Sequence, residues 1–295
     1  MRNSVLIVLL IASFALLILV GCNLKFGEPS APMDETAIAN VPPQEYVNYK
    51  WVNYTPTGYE PVTGKALSQA SITGDLYLLA QSGFNGLVTT TSIAGFDIIP
   101  QLARANGFGA VIMGIYDPKS DQEIERAIAA APFVDAYALG HCGLGSDYTV
   151  EDLHRAVSKL IAAGRSITIW ENSANYSQVM SLCTFMGPVV NAYEEGKTTP
   201  LSAMNYSVQE YCNVAALDYT KTTMLFGAGY PTAGGDFTNE EMQLLFYTNM
   251  PLDFAWCYQE AFDQPWREGA TLPYYGLFDQ FRNPKMYMAN NPFGE

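Results

Sequence analysis

Apolar runs of strand length alternate along this chain with segments in which apolar residues recur at helical spacing. The runs are apolar along most of their length, which is expected when helices cover a parallel sheet. Eight of them predict strands, over residues 49–54, 86–89, 110–115, 134–139, 166–170, 188–191, 222–226 and 252–256.

Capping residues mark the starts of several helices between these strands. Ser120 and Thr149 each precede an apolar series at helical spacing, and the second series ends at Gly164. Thr238 stands before an acid-rich first turn, which suits the positive end of a helix dipole. Eight strands alternating with helices predict an α/β fold, a single-domain (β/α)8 TIM barrel, rather than an open doubly wound sheet. No dinucleotide-binding glycine motif follows the first strand.

The first residues predict an exported protein. Arg2 precedes an almost unbroken apolar run and then small residues, which is typical of a secretory signal peptide over residues 1–21. The Leu-Val-Gly-Cys run at 19–22 resembles a bacterial lipobox and implies lipidation of Cys22; the alternative is an uncleaved anchor helix. Asn23 stands where an inner-membrane retention signal would have Asp. The resemblance therefore implies the outer membrane in a Gram-negative host and the cell surface otherwise.

Two further segments complete the predicted organisation. Residues 22–44 contain prolines and mixed polar residues without an apolar period, which predicts a flexible tether after the lipidated cysteine. Residues 45–295 form the predicted barrel, and their length of about 250 residues is normal for this fold.

Composition narrows the possible partners. A net charge of −14 would repel phosphate backbones, so we expect no nucleic-acid ligand. The cysteines show no CxxC spacing and the chain has only two histidines, so we expect neither a metal site nor a cofactor. Export permits disulfides, but the sequence does not pair the four cysteines other than Cys22, which are Cys142, Cys183, Cys212 and Cys257.

The predicted strand ends are rich in aromatic and polar side chains. In TIM barrels the functional site lies at the C-terminal ends of the strands. A sugar-binding site needs both aromatic and polar side chains, because aromatic faces stack on pyranose rings while polar groups bind the hydroxyls. The strand ends therefore favour a carbohydrate ligand.

Ordered motifs at these ends resemble the family 17 glycoside hydrolases, the β-1,3-glucanase group. The similarity includes Tyr-Thr-Pro-Thr-Gly-Tyr at 54–59, Thr-Ile-Trp-Glu at 168–171, Gly-Tyr-Pro-Thr at 229–232 and Glu-Ala-Phe-Asp-Gln-Pro-Trp at 260–266. It implies a β-glucan-type ligand and two catalytic carboxylates, one acid/base and one nucleophile. The sugar contacts it implies are Tyr54, Glu171, Tyr193, Tyr230, Glu260, Asp263, Trp266 and Tyr275.

Both expected carboxylates are missing. The family's acid/base glutamate follows the fourth strand in a Gly-Asn-Glu-Gly run, and here Gly-His-Cys-Gly places Cys142 at its position. The nucleophile ends the seventh strand, where this chain has Gly227. Glycine has no side chain, and a thiol is a poor proton donor to an acetal oxygen. His141, adjacent on a strand, is expected to face away from Cys142.

We therefore expect a membrane-anchored, catalytically inactive barrel that binds a β-glucan-type polysaccharide. Two other functions stay open. A relocated carboxylate pair, Glu171 and Glu260, would make the chain an active glycoside hydrolase or transglycosylase. A structural envelope lipoprotein would need no sugar ligand.

Overall fold

The computed structural model describes residues 40–64 and 66–290. The predicted signal peptide, Cys22 and most of the predicted tether lie outside the described residues. Within the described ranges, no helix has both the length and the apolar character that crossing a bilayer requires.

Eight parallel strands form the barrel, and the predicted fold class is confirmed. The strands are β1 Trp51–Tyr54, β2 Gly86–Thr89, β3 Ala110–Ile115, β4 Ala136–Leu139, β5 Ser166–Glu171, β6 Gly187–Pro188, β7 Met224–Gly229 and β8 Ala255–Gln259. Consecutive strands from β1 to β6 pair in ladders, as do β7 and β8, and β1 pairs with β8. The barrel is closed between β6 and β7 by two isolated bridges, Met186 with Thr223 and Val189 with Phe226.

Helices cover the outside of the barrel. The connection between β5 and β6 departs from the alternating pattern, since it contains the 3-10 helices Ser173–Gln178 and Met180–Leu182 instead of an α-helix. The α-helices are α1 Gln69–Gln81, α2 Ile99–Ala105, α3 Asp121–Ala129, α4 Val150–Leu160, α5 Pro200–Ala215, α6 Glu240–Asn249 and α7 Met286–Asn290.

Two predicted helix caps are confirmed and one is wrong by a residue. The side chain of Ser120 accepts from the third backbone N–H of α3, and Thr149 forms a capping box with α4. Helix α6 is capped by Asn239, whose side chain accepts from Met242 N at 2.8 Å. Thr238 instead donates its hydroxyl to the Gly235 carbonyl, within the preceding turn. Asn caps a helix at least as well as Thr. The preceding turn binds the Thr238 hydroxyl, and Asn239 is therefore the residue that caps α6.

The last three strands differ from their predicted bounds. Strand β8 begins at Ala255, later than predicted, and Leu252 lies in an exposed bend before it. Strand β7 extends through Gly229, although glycine is disfavoured within strands. Only Gly187 and Pro188 pair with β5 in a regular ladder, so β6 is shorter and earlier than predicted.

The base of the barrel, at the N-terminal ends of the strands, is closed by the first described segment. Tyr46, on the 3-10 helix Pro43–Asn48, is fully buried and packs edge-on against Trp51 and Phe185. The Trp51 indole N–H donates to the Tyr46 carbonyl at 2.8 Å. Just before this helix, Val41 N donates to the buried carboxylate of Asp135 at 2.9 Å. The chain therefore enters the barrel at its base. The opposite end, at the C-termini of the strands, we call the mouth.

Candidate functional site at the barrel mouth

The loop after β4 holds Cys142 in a fixed position. The Tyr148 hydroxyl accepts from the backbone N–H groups of His141 and Gly143, each at 3.0 Å. A side chain at Gly140, whose φ is +91°, would collide with this hydroxyl. Cys142 has a φ of +64° and donates its backbone N–H to the Trp170 carbonyl at 3.0 Å. This main-chain hydrogen bond ties the loop to β5.

Neither Cys142 nor its neighbour is arranged for nucleophilic catalysis. Burial, with the nearby carboxylates of Glu171 and Glu195, raises the pKa of the Cys142 thiol to about 12. The His141 ring has other partners: one nitrogen lies 3.0 Å from the Tyr116 carbonyl and the other 3.1 Å from Asp147 Oδ2. His141 also stacks flat on Tyr116, with ring centroids 4.1 Å apart. The thiol stays protonated near neutral pH, and its neighbouring base is engaged elsewhere.

Gly227 lies at a β-bulge within β7. Leu225 pairs with Trp256 and Ala228 with Tyr258, so one extra residue of β7 is accommodated between them. Gly227 has a φ of +74°, and a Cβ atom there would lie 3.0 Å from the Val190 carbonyl oxygen and 3.1 Å from Asn191 Oδ1. The position therefore disfavours a side chain through both backbone conformation and space.

The carboxylate of Glu171 is used by the fold. The residue is fully buried at the end of β5. One oxygen accepts from Leu144 N at 3.1 Å and the other from Asn172 N at 2.9 Å. Glu171 thereby holds the loop after β4 against the end of β5.

Glu260, directly after β8, is a buried carboxyl that forms an ion pair. Arg267 Nη1 donates to Glu260 Oε2 at 3.0 Å. Burial raises the pKa of Glu260 to about 7, although the Arg267 charge acts in the opposite direction. Beside it, Gln259 accepts from the Asn53 side chain of β1 at 3.1 Å. A carboxyl titrating near neutrality has the acidity that general acid catalysis needs.

Three of the predicted sugar contacts are buried between loops on the β6–β7 side of the mouth. The Tyr230 hydroxyl donates to the Thr198 carbonyl at 2.6 Å and lies 3.1 Å from the Phe237 carbonyl. The Tyr193 hydroxyl donates to the Asp236 carbonyl at 2.8 Å, and its ring packs edge-on against Tyr230. The Tyr275 hydroxyl donates to Glu194 at 2.9 Å. These tyrosines join the loops over this side of the mouth.

Tyr54 does not lie in the mouth. Side chains alternate along a strand, and Tyr54 shares the outer face of β1 with Val52, in the layer packed against the helices. Its hydroxyl donates to Asp75 of α1 at 2.8 Å, and Asp75 also accepts from Arg282 at 2.7 Å. Tyr54 is fully buried, so in this conformation it is inaccessible to a ligand.

The β1–β8 side of the mouth is open. A cavity of about 510 Å³ lies between the loop after β1 and the segment after β8, within the size range of small-ligand sites. Two predicted sugar contacts, Asp263 and Trp266, line it together with Tyr59. Trp266 packs edge-on against Tyr59 at 5.5 Å. Asp263 forms an ion pair with Lys285 at 2.6 Å, and burial raises its pKa despite that cation.

The structure therefore divides the predicted contacts among five places rather than gathering them in one site. Sequence reasoning missed Tyr59, Glu194 and Arg267. Glu194 and Tyr59 stand in polar loops that follow strands, and this position in the sequence could have identified them as candidates. Arg267 lies seven residues beyond Glu260, and nothing in the sequence indicates that the chain turns back there. Within residues 40–64 and 66–290, no group of three or more His, Cys, Asp or Glu is arranged to hold a metal.

The barrel is similar to solved structures of carbohydrate-active enzymes. A glycoside hydrolase family 17 β-1,3-glucanosyltransferase from Rhizomucor miehei matches with a TM-score of 0.66 and 17% identity, over 81% of this chain and 96% of that chain. An active-site mutant of the Rhizomucor miehei β-1,3-glucanosyltransferase in complex with laminaritriose matches with a TM-score of 0.65, 17% identity and the same coverage.

A β-glucuronidase from Ruminococcus gnavus matches with a TM-score of 0.61 and 16% identity, over 83% of this chain and 48% of that chain. No family model and no curated protein sequence matches this chain. Identities this low establish shared architecture alone. The chain therefore has the barrel fold found in glycoside hydrolases.

Proposed function

We propose that this protein is a lipid-anchored, catalytically inactive glycoside hydrolase-like barrel that binds a β-glucan-type polysaccharide at the cell envelope. The proposal rests on which carboxylates the mouth of the barrel has and on how they are bound. Cys142 and Gly227 replace the two that the family resemblance implies, and the surviving Glu171 accepts backbone N–H bonds through both oxygens. A retaining glycosidase needs two free carboxyls about 5–5.5 Å apart across the sugar.

The open cavity supports a sugar ligand. Trp266 and Tyr59 supply aromatic surface, and Thr55, Asp263 and Gln264 supply polar groups along the same walls. Near the barrel axis, Asn53 Oδ1 and Trp170 Nε1 are buried without a hydrogen-bond partner in the described part of the chain. Buried polar atoms usually have partners, so such atoms suit a hydroxyl-rich ligand or ordered water.

An active hydrolase is the second candidate function, and Glu260 is the observation that favours it. Its pKa of about 7 suits a general acid. However, an acid alone does not complete the reaction, because the partner proposed from the sequence, Glu171, is held by Leu144 and Asn172.

Binding measurements with β-1,3-linked oligosaccharides test the proposal. Titration calorimetry on the full chain should detect binding, and Trp266→Ala should weaken it by about tenfold, equivalent to about 1.4 kcal/mol. Tyr77→Ala, which removes an exposed aromatic from the outer helix α1, should leave affinity unchanged. Absence of binding to any glucan would refute the ligand-binding function and favour a structural envelope protein.

A hydrolysis assay separates the two candidates. Reducing-sugar release from a laminarin-type glucan is expected to be absent. Release that is lost in both Glu260→Gln and Glu171→Gln would instead establish an enzyme with a relocated pair.

A further inference from the structure

Exposed apolar side chains lie at the mouth, among them Val62 and Phe281, and also at the base of the barrel. Four at the base lie on segments that lead into β7, β8 and β1, three strands that are consecutive around the barrel. Tyr219 is 85% exposed and Leu252 83% exposed, and Leu217 and Val47 are also exposed. Isolated apolar residues are common on protein surfaces, but adjacent loops that each present one form a candidate contact surface.

The base carries little net charge. The segments that lead into the eight strands carry four acidic and three basic residues, a net charge of −1. One of the four carboxylates, Asp135, is buried against Arg104. The segments counted are 43–50, 82–85, 106–109, 130–135, 161–165, 183–186, 216–223 and 250–254.

The chain reaches the barrel from this same side. Val41 is bound to Asp135 directly before β4, and the 3-10 helix Pro43–Asn48 covers the base. Seventeen residues, 23–39, separate Cys22 from Asn40 in the sequence. Even fully extended, they span no more than about 60 Å.

We propose that the base docks on the lipid surface to which Cys22 is anchored, so that the mouth faces away from the membrane. The proposal rests on the lipid anchoring proposed above. A lipid surface is the occupant that these observations fit, because the anchor would keep the base near headgroups at high local concentration. A weakly charged base avoids repulsion by anionic lipids, and tyrosine and leucine side chains insert readily at the headgroup boundary. The open cavity at the mouth would then be presented to polysaccharide on the far side.

Depth-dependent fluorescence quenching tests this orientation. The full chain, lipidated in a bacterial host, would be placed in phosphatidylcholine–phosphatidylglycerol vesicles that contain acyl chains brominated close to the headgroup. A fluorophore attached at Tyr219→Cys or Leu252→Cys, in a Cys212→Ser background, should be quenched strongly. The matched control is Phe281→Cys at the mouth, a position that is 75% exposed and should be quenched several times less.

Flotation of the same vesicles tests the lipid anchoring separately from the docking of the base. A chain that floats but shows equal quenching at base and mouth, or stronger quenching at the mouth, overturns the docking and leaves the anchoring intact. A chain that does not float refutes the anchoring, and the docking with it.

Discussion

The guanidinium of Arg267 lies 3.0 Å from the Glu260 carboxylate, and this cation does not offset the burial of the acid. The pKa of Glu260 rises from 4.5 to about 7 in the folded chain. Between those values the folded state keeps a proton that the unfolded state has released. The contribution of Glu260 to stability is therefore largest below pH 4.5 and is lost as pH rises toward 7.

Glu260→Gln should remove this pH dependence. Relative to the parent chain, the variant should gain about 3 kcal/mol of unfolding free energy between pH 4 and pH 8, since one pKa unit corresponds to about 1.4 kcal/mol. Urea unfolding of both chains at the two pH values measures the difference, and groups common to both cancel. A difference that does not change with pH would show that folding does not raise the pKa of Glu260.

Gly227→Ala should destabilise the barrel more than glycine replacement elsewhere. Gly196 is the matched control, because it has a similar φ of +80° but open space around it, whereas a Cβ at Gly227 meets the Val190 carbonyl at 3.0 Å. We expect a cost of about 1–2 kcal/mol for Gly196→Ala from backbone conformation alone, and about 1–3 kcal/mol more for Gly227→Ala from crowding. Equal unfolding midpoints would mean that β7 relaxes freely around a side chain.

Cys142 should resist alkylation in the native protein. Burial and nearby carboxylates raise its thiol pKa to about 12, so little thiolate is present at pH 8. Cys212 is exposed on α5 and provides the internal control. Mass spectrometry after brief iodoacetamide treatment should find Cys212 modified and Cys142 unmodified. Rapid modification of Cys142 would contradict the neutral, half-buried thiol and reopen a nucleophilic role.

Tyr54→Phe should affect stability but not ligand binding. Removing the hydroxyl deprives the buried Asp75 of one donor, although Thr57 and Arg282 remain. We expect a loss of about 1–2 kcal/mol in unfolding free energy. Glucan affinity, measured by the same calorimetry as for Trp266→Ala, should not change. A weaker affinity in a fully folded Tyr54→Phe variant would place Tyr54 at the sugar after all.

The barrel was predictable because each β/α repeat carries its own local pattern, and strands β2 and β3 have the bounds that their apolar runs predict. The mouth was harder to predict because its geometry depends on long-range contacts. The alternation of side chains along β1 places Tyr54 on the outer face of the barrel. A similarity of motifs does not indicate which face of a strand a residue occupies. The return of Arg267 to Glu260 and the bulge at Gly227 are set by chain segments far apart in sequence, and no local pattern indicates them.

The bulge at Gly227 also bears on how readily a carboxylate could be placed at the end of β7. An enzyme that has lost a carboxylate by a side-chain change alone can recover it by one substitution at that codon. Here a glutamate at position 227 would need a different backbone in β7 and more room beside Val190 and Asn191, so at least two segments would have to change together. Directed evolution toward hydrolysis from this chain should therefore recruit a carboxylate at another strand end before it places one at position 227.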